Sequence, residues 1–215
     1  MIRMPLKPYF LSLRSALKGV CGRMLRPIAL WLLLFVGTES VLAQGTTATE
    51  GDLVIFDFGT DTETRWSVVN DGVMGGRSKG NGRIESGSLR FWGTLVTLGG
   101  GFTSVRARKR LDLSRYDGVA MRVRGSGRTF EVELDDGYAY RGRSISRRAP
   151  FQTSEDWRVV RIPFTAFRSS IFGQPVNAGA LEPSRIRAVG LYLLDGIDGA
   201  FDMEVDAIWA YRESE

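Results

Sequence analysis

The sequence predicts an all-β protein, a β-sandwich of the jelly-roll kind, preceded by a cleavable N-terminal signal segment. Three observations lead there. From Leu53 onward apolar side chains recur at every second position far more often than at helical spacing. Gly, Asn, Asp or Ser clusters divide these runs at intervals of roughly ten residues, the rhythm of sandwiches and barrels. No segment after residue 43 keeps a helical period for more than about ten residues, although Phe164–Arg168 offers a single turn after Pro163.

Taken in chain order, the first element is the leader. Residues 1–26 carry six basic side chains (Arg3, Lys7, Arg14, Lys18, Arg23 and Arg26) and no acid, and Ile28–Val36 is an unbroken apolar run. That run is too short for a bilayer core, which needs about 20 apolar residues. Val41-Leu42-Ala43 then sets small or modest side chains ahead of a cut before Gln44. Residues 1–43 therefore read as a signal or targeting segment, with Met24 as an alternative start, and the expected location is exported, periplasmic or extracellular. A mitochondrial presequence is the alternative, since the leader bears Arg and lacks acids up to Glu39. Its continuous apolar run argues against that, because transit peptides are amphipathic. No transmembrane span is expected after leader removal.

The rest, 50–215, reads as one domain without repeats or low-complexity linkers. Strands are predicted at Leu53–Phe58, Ser88–Gly93, Thr103–Ala107, Val119–Arg124, Thr129–Leu134, Arg158–Pro163, Ile186–Leu194 and Phe201–Tyr211. In Val119–Arg124 and Phe130–Leu134 every second side chain is apolar, as in antiparallel strands with one buried face. Leu191-Tyr192-Leu193-Leu194 is apolar on both faces, which suggests a central strand covered on both sides. By default Trp66, Trp157 and Trp209 are assigned to the core.

Charge narrows the function classes. The leader holds six of the 29 basic residues and one of the 24 acidic ones, which leaves 23 of each in the remainder. The sequence pI of 9.6 is thus mostly a property of the leader, and a nucleic-acid partner is not expected. The single cysteine, Cys21, also lies in the leader, and the chain has no histidine. Ser-His-Asp and Cys-His catalysis, imidazole acid-base chemistry and His/Cys zinc sites are excluded together. No catalytic residue, metal or cofactor is assigned.

The densest unusual stretch runs from Trp66 to Ser78. Asn70-Asp71-Gly72 is strong turn chemistry and Gly75-Gly76 a second point of backbone freedom. Val73 and Met74 between them either anchor the loop in the core or present an apolar knob. A phosphate-binding loop lacks support, because neither the terminal Lys-Ser/Thr nor a following helix is present.

At this stretch the sequence resembles the complex I intermediate-associated protein 30 family. The resemblance rests on Trp66, Asn70-Asp71, Val73-Met74-Gly75-Gly76 and Ser78. Gly100–Arg106, Trp157, Ile162-Pro163-Phe164, Phe167, Val189–Leu191, Phe201, Glu204, Asp206 and Ile208 extend it. It implies a galactose-binding-like sandwich and a non-enzymatic assembly factor, whose mitochondrial members hold membrane-arm intermediates of respiratory complex I. The expected partner is a protein, a respiratory-complex assembly intermediate. The expected contacts are Asn70, Asp71, Met74, Arg77, Ser78 and Arg106, with Asn70 and Asp71 shaping the loop, Met74 a soft apolar contact and the arginines donating hydrogen bonds.

Two other readings stand beside it. An exported carbohydrate-binding module would stack a glycan on Tyr138 and Tyr140. A hydrolase would need two carboxylates at a separation that sequence does not show. Asp135-Asp136-Gly137 and Asp195–Gly199 read as turns in preference to cation sites, and Arg141–Arg148 as a solvated basic loop.

Overall fold

A computed structural model describes residues 48–61 and 63–213, with only the backbone of Val73. The leader, Cys21, Met24 and the expected cut before Gln44 lie outside the described residues. The strands are β1 (Leu53–Asp57), β2 (Trp66–Asn70), β3 (Lys79–Glu85), β4 (Ser88–Leu95), β5 (Thr103–Leu111), β6 (Gly118–Gly125), β7 (Thr129–Asp135), β8 (Ala139–Tyr140), β9 (Arg143–Ser144), β10 (Ser146–Gln152), β11 (Arg158–Pro163), β12 (Arg168–Ile171), β13 (Gln174–Pro175), β14 (Ile186–Leu193) and β15 (Gly199–Tyr211).

They form two antiparallel sheets. The first runs β11-β6-β15-β4-β3, with β1 beside the far end of β15; the second runs β13-β12-β10-β7-β14-β5-β2. β8 and β9 make a separate ribbon. The eight predicted strands are all present, within a few residues at their ends. The turn after Pro163 is a single 3-10 turn, Phe164–Ala166.

The inward-facing positions fill the space between the sheets. Phe91 and Phe201 of the first sheet pack 4.9 Å apart, edge to face, and both reach Phe130 of the second, at 6.3 and 6.1 Å. Rings meeting edge to face satisfy their quadrupoles as well as excluding water.

Alternation missed β2, β3, β8, β9, β10, β12 and β13, of which β2, β3 and β10 are the longest. β3 reads Lys-Gly-Asn-Gly-Arg-Ile-Glu, a poor strand by composition, and is an edge strand paired only to β4 in its sheet. β10 contains Pro150, tolerated because β12 pairs only with residues 146–148 of it, which leaves one side of the strand an unpaired edge at Pro150.

The tryptophan assignments are corrected in part. Trp66 packs against the core, 5.0 Å from Phe56. Trp209 is buried, but on the opposite face of β15, in a small cluster with Ala120, Ala207 and Tyr211 against which Ala48 packs. Trp157 is half-buried on that outer side, with the guanidiniums of Arg122 and Arg124 each 4.8 Å from its ring.

Candidate functional site

β2 ends at Asn70, opposite Thr103 of β5. Asn70 Oδ1 accepts from Gly80 N at 2.9 Å and from Thr103 Oγ1 at 2.6 Å, so one amide ties edge strand β3 of the first sheet to β5 of the second. A Cβ on Gly80 would collide with the Thr103 hydroxyl, which explains a glycine inside a strand.

The next residue, Asp71, opens a 3-10 turn to Met74 that Gly75 ends in the left-handed region at φ 86°. Its side chain is fully buried. Oδ1 accepts from Ser78 N at 3.0 Å; Oδ2 accepts from Ser78 Oγ at 2.6 Å, Gly101 N at 2.7 Å and Phe102 N at 3.4 Å. Burial works against the charge, but the Ser78 hydroxyl and the N–H groups of Gly101, Ser78 and Phe102 outweigh it and hold the carboxyl below its ordinary value. A Cβ on either Gly76 or Gly100 would fall well under 3.0 Å from this carboxylate. The glycines of both loops are thus the walls of one carboxylate cage.

The same end of the sandwich gathers a third loop. Thr97 N donates to Asp198 Oδ1 at 2.7 Å, a bond that holds the Asp198 carboxyl below its ordinary value. Asp195 is clamped by Arg128, Nε to Oδ2 at 2.9 Å. The three pinned loops leave Met74, Leu98 and Ile197 on the surface, at 59%, 71% and 61% exposure, with Arg77 exposed beside Ser78. Leu98 and Ile197 were missed by sequence reasoning. The signal available was the one that marked Met74: a large apolar residue inside a glycine-rich turn.

The structure divides the predicted contact residues. Met74 and Arg77 stand on the surface. Asp71 and Ser78 are buried and Asn70 half-buried, and the Asp71 carboxylate, the Ser78 hydroxyl and the Asn70 amide oxygen bond within the protein, as befits the loop-shaping role expected of Asn70 and Asp71. Arg106 belongs elsewhere, on the outer face of the second sheet. There its Nε donates to Ser104 Oγ at 2.9 Å and its guanidinium lies 4.6 Å from the Tyr192 ring. Tyr138 is exposed, with the Arg147 guanidinium 5.6 Å from its ring, and Tyr140 is half-buried beside Arg141 at 5.3 Å.

The acidic turns are occupied by the protein itself. Asp136 is buried and accepts from Arg147 Nε at 3.2 Å, Tyr138 N at 3.0 Å and Glu182 N at 3.2 Å. Arg147, 2% exposed, also donates to the carbonyls of Ala178 and Gly179, so of the basic run expected to be a solvated loop only Arg141–Ser144 is exposed. The local sequence is charged; the partner that makes its burial possible is 11 residues away. Among the described residues no group of three or more metal-ligating side chains is assembled. No helix among them is long and apolar enough to cross a membrane.

Fold and loops together define a galactose-binding-like β-sandwich with one end shaped around a buried aspartate. Among solved structures it is similar to the family 11 carbohydrate-binding module of the cellulase Lic26A-Cel5E of Clostridium thermocellum. That match has TM-score 0.57 and 16% identity, covering 78% of this chain and 98% of that one. It is also similar to the family 30 module of Cel9D-Cel44B from the same organism (TM-score 0.51, 17% identity, 76% and 99% covered). At such identity the likeness shows the fold alone.

The chain belongs to the complex I intermediate-associated protein 30 family, whose sequence profile matches residues 56–205. The mouse protein named complex I intermediate-associated protein 30, mitochondrial, is 26% identical over 172 residues, 69% of this chain and 52% of that protein. The Drosophila melanogaster protein of that name is 25% identical over 187 residues, covering 72% and 61%. The chain therefore spans about half to three-fifths of the length of these relatives.

Proposed function

We propose that the chain is a non-enzymatic binding domain that holds a protein partner, an assembly intermediate of a respiratory complex, through the tip built on Asp71. The observation that supports this is the exposure of Met74, Leu98 and Ile197 on three loops pinned together from within. Because the loop backbones are already held in place, little further backbone entropy is lost when a partner covers these side chains. Arg77 adds a charged donor at the rim. The names of the relatives supply the class of partner.

A pull-down from membranes with wild type and the Met74→Asp/Arg77→Glu double variant tests this. Loss of the partner from a folded variant is expected; an unchanged set of captured proteins removes the loop from the interface. The relatives are named mitochondrial, while the leader reads as secretory. Fractionation of the tagged full chain distinguishes the two compartments.

A second reading, a carbohydrate-binding module, is favoured by the fold of the similar solved structures and by the exposed Tyr138 ring. Calorimetry against neutral cell-wall and storage sugars tests it, and absence of binding at millimolar ligand removes it.

A further inference from the structure

The outer faces of both sheets carry paired and unpaired arginines: on the second sheet Arg148 pairs with Glu131 at 3.0 Å, and on the first Arg158 and Arg161 have no ion pair among the described residues. On the first sheet Arg90 pairs with Asp202 at 2.6 Å, Arg124 with Glu204 at 2.9 Å, Arg83 with Glu85 at 2.5 Å and Arg122 with Asp206. On the second sheet, among the described residues, no carboxylate lies within ion-pair distance of Arg108, Arg110 or Arg187.

These three residues converge. Arg108, Lys109, Arg110, Asp135, Arg187 and Ala188 line a cleft of about 430 Å3, within the ~300–1,000 Å3 of small-molecule sites. Register makes the cleft. Ala188 lies between Arg108 of β5 and Asp135 of β7, so a methyl group forms a low floor between two charged walls. Beyond it the pairing shifts, Ile186 facing Leu111 while Ala188 faces Arg108, so Arg187 alone opposes Lys109 and Arg110. Such a bulge re-aims a side chain.

Glycine at 137 completes the arrangement: it has φ +67°, and a Cβ there would fall well under 3.0 Å from the Arg187 guanidinium. Lys109 is turned to other work, donating to Ile55 O at 2.6 Å. Asp135 Oδ1 accepts from Gly137 N at 2.7 Å, and Oδ2 has no hydrogen bond to the described residues.

We propose that this cleft is a binding site for a small anionic ligand of sugar size. Phosphate or carboxylate oxygens of the ligand are held by Arg108, Arg110 and Arg187, and a ligand hydroxyl donates to Asp135. Guanidiniums are fork-shaped donors whose geometry matches such oxyanions. The lone carboxylate among them selects against a bare anion and for one that also carries a hydroxyl. The site lies on the sheet face and does not depend on the loop tip.

The test is titration calorimetry at low salt on the full chain with glucose 6-phosphate, digalacturonate, inorganic phosphate and glucose. Vesicles of phosphatidylcholine with and without phosphatidylglycerol form a second arm. Saturable binding of glucose 6-phosphate or digalacturonate is expected, at least tenfold tighter than glucose. Arg108→Gln and Arg187→Gln each weaken it tenfold or more, and Asp135→Asn weakens glucose 6-phosphate while tightening inorganic phosphate, from which the repelling carboxylate has been removed.

Binding only to phosphatidylglycerol vesicles, lost in the same arginine variants, assigns the anion to a lipid headgroup and supports the site. Three results overturn the proposal: no anion bound at millimolar concentration, equal binding by the arginine variants, or the same loss with Arg158→Gln on the other sheet.

Discussion

Two charged regions of this sandwich solve opposite problems. At the loop tip the Asp71 carboxylate is buried and accepts four hydrogen bonds from the chain, so its bonding capacity is spent on the fold. In the cleft of the second sheet Arg108, Arg110 and Arg187 are exposed, with no carboxylate at ion-pair distance among the described residues. A charge saturated by its own protein is there to shape. A charge left to water is available to a ligand. Within the motif that stands out in the sequence, Asp71 therefore builds a surface without being part of it, and Met74 and Arg77 stand on that surface, while arginines inside ordinary strands are left open to solvent.

The largest expected effect lies on the saturated side. Asp71→Ala leaves three N–H donors without their acceptor and the Ser78 hydroxyl with only the Val96 carbonyl, at 3.2 Å, and urea denaturation is expected to show a loss of about 4 kcal/mol. A loss near zero would mean that water replaces the carboxylate and the cage is not structural. Gly100→Ala, which drives a methyl into that carboxylate, is expected to cost about 3 kcal/mol by the same measurement.

Acid tests the same cage without changing its shape. The Asp71 carboxyl titrates lower in the folded chain than its ordinary 3.8. Its charge therefore stabilises the fold fully above that range, and the contribution is lost as pH falls through the lower folded value. Thermal melts from pH 6 to pH 2.5 are expected to show a steeper acid limb for wild type than for Asp71→Asn; parallel limbs would contradict the assignment.

On the open side the comparison inverts. Arg108→Gln with Arg187→Gln is expected to leave stability within about 0.5 kcal/mol of wild type while abolishing anion binding. A loss of several kcal/mol would show these side chains to be structural. The smallest effect belongs to the first sheet, where a double-mutant cycle on Arg124 and Glu204 is expected to give a coupling of about 0.5 kcal/mol, diminishing with salt.

Much of this was legible beforehand. Alternation in Val119–Arg124 and Phe130–Leu134 located strands because a half-buried face imposes period two whatever the partner strand is. β3 was not legible: its glycines have low strand propensity, and Gly80 is there to admit the Asn70–Thr103 contact from the other sheet. β14 read correctly as central, between β5 and β7. Its second face, however, is not covered by another layer. Tyr192 there is flanked by Arg106 and Arg148 at 4.6 and 5.2 Å and bonded to Glu133, and burial with the Glu133 charge pushes its hydroxyl far up.

The sequence by itself determined the sandwich, its turns, the family and the loop on which attention first fell. The strands and turns depend on neighbours within a few residues, where spacing is set by covalent geometry, and the family on short motifs that can each be read locally. Only the tertiary structure decided which charges meet. The cage around Asp71 draws donors from 7 to 31 residues away, and the cleft sets Arg108 beside Ala188 and Ala188 beside Asp135. Such alignments follow from the register between strands distant in the chain, which side-chain packing across the whole core selects.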